Sequence, residues 1–103
     1  MSYLDDLRDI IHELHGVKAT HVESVPVKEV FNGQTIWDGV VEVFDLHEHP
    51  ETHRVYAWSH ETDDPDNPTR HVTVLHIPPV VSPLTAVRAA IMQEFQANAD
   101  AEA

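Results

Sequence analysis

Leu4, Leu7, Ile11 and Leu14 recur at three- and four-residue spacing, and Ile10 widens the stripe, which predicts an amphipathic helix over 3–15. Ser2 is placed to cap it, with Asp5 three residues on. Asp5, Asp6 and Asp9 suit the positive end of the helix dipole, His12 and His15 the negative end, and Gly16 the left-handed exit. A second helix is expected from Pro83, capped by Ser82, with Thr85 three beyond the cap and Leu84, Val87, Ile91 and Phe95 facing inward. From residue 97 the chain has nothing apolar larger than alanine, and a frayed tail is expected over 97–103.

Between the helices lie four β-rich runs. The first two, 19–31 and 35–46, flank Asn32-Gly33, a strong hairpin signal. Pro26 cannot donate to a ladder, so the first run is expected to be an edge strand or a bulged one. Matching charge and apolar side chains across the hairpin sets Lys28 opposite Asp38, Val30 opposite Ile36 and Val25 opposite Val41. A bulge near the turn or at Gly39 absorbs the offset. The third strand is expected over 54–61 and the fourth over 71–77, ending at Pro78-Pro79. The acidic, turn-rich stretch 62–69 should be a mobile loop, most of all at 63–67. The order is α-β-β-β-β-α. It predicts an α+β fold of two layers: a four-stranded antiparallel meander with both helices on one face, forming a single domain over 1–96 and one core that holds Leu7, Ile11, Val87 and Ile91 together. The topology resembles that of double-stranded-RNA-binding domains, α-β-β-β-α, without the lysines that carry RNA contacts in that fold.

Composition narrows the function. Eighteen acids against six lysines and arginines leave a net charge of −12 with histidine neutral. That field repels nucleic acid and anionic lipid and favours a basic protein partner. Nine histidines titrate in the mildly acidic range, and protonating all of them would leave −3, so self-association is expected to rise on acidification. There is no cysteine, no apolar run long enough to span a bilayer and no leader-like N-terminus, which together suggest a cytoplasmic protein.

No stretch matches a catalytic motif; HELH at 12–15 is one residue short of the zinc-protease spacing. Asp38 and Glu42, four apart on a strand, are about 13 Å apart by strand rise, too far to work on one bond, and read as surface charge. His47, His49 and His53 are candidate ligands for zinc or nickel, although a solvated polar loop is the preferred reading of them. His12 and His15 could supply half of another site, or simply complement the helix dipole. Setting Ala57 opposite Val74 gathers Tyr56, Trp58 and His60 with His71 on one sheet face. With Trp37 these form a candidate partner or ligand surface if the helices leave that face bare, and a core if they cover it. The reading is a non-catalytic interaction module that binds a protein partner or a second copy. The alternatives are a histidine metal site, or a small-ligand pocket between sheet and helices lined by Trp37, Tyr56, Trp58 and a histidine.

Overall fold

The computed structural model describes residues 3–61, 64–66 and 68–102, with 94–102 described by backbone alone. The elements are α1 (Tyr3–His15), β1 (Ala19–Phe31), β2 (Gln34–Leu46), β3 (Arg54–Glu61), β4 (Thr69–Leu75) and α2 (Pro83–Glu102). The strands form one open antiparallel sheet in the order β1-β2-β3-β4, as the alternation predicts. Ser2, the expected cap of α1, and residues 62, 63 and 67 of the expected mobile loop lie outside the described residues. β4 begins at Thr69, two residues earlier than expected, and α2 continues to Glu102 through the expected tail. Alanine-rich sequence sustains a helix without an apolar face.

Local rules account for the ends of the elements. Ser82 Oγ accepts the Thr85 amide at 3.2 Å while Thr85 Oγ1 accepts the Ser82 amide at 3.0 Å, a reciprocal capping box. Gly16, at φ 71°, closes α1 with its amide on the His12 carbonyl. Asn32 and Gly33 both have positive φ, 51° and 78°, and join Phe31 to Gln34 through a two-residue turn whose twist matches the strands. Beyond that turn Val30 pairs with Thr35 and Glu29 with Trp37, so Ile36 is the extra residue of a bulge. The bulge lies near the turn, Gly39 stays in register, and Lys28 faces Asp38 and Val25 faces Val41 as expected. A second irregularity falls at Val22, and β1 lies at the sheet edge as Pro26 requires.

The expectation of two layers with both helices on one face is corrected. Val55 through Trp58 are all buried, as are Val41 through Phe44. Alternate residues of a strand point to opposite faces, so a run buried at every position needs cover on both. α1 covers the face of Phe44, Leu46, Val55 and Ala57 with Leu7 and Ile11. α2 covers the face of Val41, Val43, Tyr56 and Trp58 with Ala86 and Val87, joined by Leu84 and Ile91. The molecule is a three-layer α/β/α sandwich with two cores. Leu14, expected inward, is 62% exposed, because the stripe of α1 that meets the sheet is Leu4, Leu7 and Ile11.

The β3–β4 register differs from expectation by one residue: Tyr56 faces Val74, Ala57 faces Thr73 and Ser59 faces His71. A slip of one moves every side chain of a strand to the other face. It places Val72 and Val74 beside Tyr56 and Trp58, where a second core needs them.

Two cores make a testable energetic statement. Ile11→Ala should cost about 2–5 kcal/mol and Val87→Ala about 1–3 kcal/mol. Because the two residues share no core, the double variant should lose the sum to within about 0.5 kcal/mol in urea unfolding. A coupling above about 1 kcal/mol would place them in one core instead.

Candidate functional site

β3 pairs with β2 only over Glu42–Asp45, opposite Arg54–Ala57. Past Ala57 the two strands separate. The Ser59 amide, which a continuing ladder would give to β2 or leave at its edge, donates instead to the Tyr3 hydroxyl of α1 at 3.0 Å. On the α2 side the parting strands leave a cavity of about 310 Å³. Trp37 and Trp58 reach towards each other across the gap, edge to face, with ring centres 5.6 Å apart. A Cβ at Gly39 would lie 3.1 Å from the Trp37 ring, so a residue without a side chain lets the indole lie over the strand. Val72 continues the apolar wall and Ala90 and Ile91 of α2 form its other side.

Polar groups in the cavity wall come from four elements. Asp38 stands on β2, His60 and Arg70 are register partners on β3 and β4, and Gln93 comes from α2. Arg70 makes no ion pair among the described residues. His60 Nδ1 lies 3.2 Å from the Glu61 carbonyl oxygen, which can only accept, so Nδ1 carries the proton. Its Nε2 is buried and has no hydrogen-bond partner among the described residues.

The candidate surface of Trp37, Tyr56, Trp58, His60 and His71 is thereby divided. Tyr56 and Trp58 are 2% and 3% exposed beneath α2, and they are core. Trp37 and His60 share the cavity with Trp58. His71 lies on the α1 face, where its Nδ1 bonds the Ser59 hydroxyl at 2.6 Å. Tyr56 bonds His76 Nδ1 at 2.6 Å, and burial pushes its phenol pKa up.

The three candidate metal ligands have separate partners. His47 Nε2 bonds Thr20 Oγ1 at 2.7 Å, His49 Nδ1 accepts the amides of Glu51 and Thr52, and the His53 ring packs against His76. Among the described residues no three His, Asp or Glu side chains are grouped to hold a metal ion. His15, beyond complementing the dipole, bonds Thr73 Oγ1 at 3.1 Å and lies edge to face with His49 at 6.3 Å.

One cluster falls outside every expectation. Glu42, read from sequence as surface charge, is 6% exposed. His21 Nε2 donates to its Oε1 at 3.0 Å, and the Ser24 hydroxyl donates to the same oxygen. A serine, a histidine and a carboxylate side by side suggest a nucleophile relay. Such a relay needs the carboxylate on one imidazole nitrogen and the hydroxyl on the other. Here both face Nε2, with Ser24 Oγ 3.4 Å from it, so the ring cannot pass a proton between them. The cluster satisfies a buried carboxylate. The register that sets Val25 opposite Val41 also sets Ser24 opposite Glu42, and that was its signal in the sequence.

Comparison with models of known protein families, with curated proteins and with solved structures found no match.

Burial, and then the neighbouring His49, hold the His15 pKa below its ordinary 6.5. The folded state therefore binds fewer protons at His15 than the unfolded chain does as pH falls through 6.5. Stability contributed by the neutral ring is present above 6.5 and is lost between 6.5 and the lower folded value. His15→Gln, which keeps a partner for Thr73, should flatten the fall in urea-unfolding stability between pH 7.5 and 5.5. An unchanged slope would assign that fall to other groups.

Proposed function

We propose that the protein is a non-catalytic interaction module that docks a basic protein partner on the bare outer face of its β1–β2 hairpin. The observation carrying this reading is the incomplete cover on the α1 side of the sheet. α1 packs on Phe44, Leu46, Val55 and Ala57, at the end of the hairpin away from its turn. Towards the turn Val30 and Val40 remain exposed, with Val40 paired to Pro26, and Ile36 is exposed in the bulge near the turn. Exposed apolar side chains gathered on one part of a small domain are the usual mark of a docking surface.

Charge favours a partner other than a second copy. Each copy carries −12, which opposes close approach of two copies at neutral pH. The same negative charge favours a partner whose docking surface is rimmed by lysine or arginine. Docking by strand addition at the β1 edge is hindered by Pro26 and the irregularity at Val22, so the face is the better candidate than the edge. The Nε2-sharing geometry of Ser24 and Glu42 supports the non-catalytic part of the reading. No described helix is long and apolar enough to cross a membrane.

A photo-crosslinking residue at position 40 should trap a basic protein in cell extract. That protein, purified, should bind the module with affinity that falls as salt rises. The exposed substitutions Ile36→Asp and Val40→Asp together should abolish binding with the fold intact by circular dichroism. Binding that ignores those substitutions, or sedimentation as a dimer at pH 7.5 held by this face, would overturn the proposal.

A further inference from the structure

We propose that the cavity where β2 and β3 part, under α2, is a binding site for a small planar aromatic monocarboxylate. Its volume, about 310 Å³, is at the lower end of the range for small-molecule sites and suits one or two fused rings. Its walls suit a flat apolar body: two indoles set edge to face leave one ring face and one ring edge for a third ring to meet. Val72 and Ile91 close against the rim of such a ring.

The charge of the ligand follows from Arg70. In a chain with eighteen acids, Arg8, Arg54 and Arg88 are each paired with a carboxylate, to Asp5, Asp45 and Glu29. Arg70 alone among the arginines has no such partner among the described residues, and it stands in the cavity wall. A planar guanidinium offers a two-pronged donor that matches a carboxylate. His60, directly across the register from Arg70, adds its ring to the same wall. Asp38, in the same wall, sets the upper limit on charge: it tolerates one negative charge held by Arg70 and disfavours a dianion such as a phosphate ester.

The protein's two tryptophans both line this cavity, so tryptophan signals report on it without a label. The test is titration of the full chain with 4-hydroxybenzoate by calorimetry, while the two indole N–H resonances are followed by NMR. Saturable binding that moves both resonances is expected. Benzyl alcohol and phenyl phosphate should bind about tenfold more weakly or worse. Arg70→Gln, at an exposed position, should weaken 4-hydroxybenzoate by about tenfold or more and leave benzyl alcohol unchanged. Ala90→Leu, which fills the cavity from the helix, should block all three. No saturable binding at millimolar 4-hydroxybenzoate would overturn the proposal. So would an unaffected Arg70→Gln variant, or a preference for benzylamine, which would give the choice of charge to Asp38.

Discussion

Four residue pairs join β2 to β3, and the whole molecule depends on them. They bring Val43, Phe44, Val55 and Tyr56 together in the middle of the sheet, all buried, with side chains alternating between the faces. Neither helix could be stable alone in water; each is held by the stripe it lays on one side of this junction. The ion pair of Arg54 with Asp45 at 3.3 Å and the Leu46 amide on the His53 carbonyl close the pairing at one end. At the other end nothing continues it past Glu42 and Ala57, and the strands part.

Element order, the Asn-Gly turn, the capping of α2 and most of the hairpin register are decided by neighbours a few residues away, and these were legible in the sequence. Which face each helix takes is decided by long-range packing, and the clue lay in two runs that are apolar at both phases, VYAW and VVEVF. A run apolar at one phase needs one cover; a run apolar at both needs two. Reading one face of the sheet as covered and the other as bare discards that information. The one-residue error in the β3–β4 register has the same root. With a single core in mind, Ala57 and Ser59 take Val74 and Val72; with two, Tyr56 and Trp58 take them, and Leu75 is left to Val55.

The candidate site was half legible. Of the expected lining, Trp37, Trp58 and a histidine share a cavity and Tyr56 does not; Arg70 was not in it, because a lone arginine in an acidic chain looks paired until its neighbours are known. The histidines show the limit of spacing as a guide. His47, His49 and His53 are close in sequence, but His47 turns to β1, His49 towards α1 and His53 towards His76. Glu48, at φ 63° between the first two, lies in a backbone region non-glycine residues seldom occupy, and the reversal there separates their directions.

The bare hairpin face and the tryptophan cavity have one origin. Because β2 outlasts its pairing with β3, the far half of the hairpin projects beyond the three-layer part of the molecule. On the α1 side the short helix stops over the junction, and Val40 is left in water. On the α2 side the longer helix reaches on, and the gap beneath it is bridged by Trp37 and Trp58 without being filled. Arg88 of α2 donates to Glu29 of β1, tying the projecting hairpin back to the helix and holding the Glu29 carboxyl below the usual range.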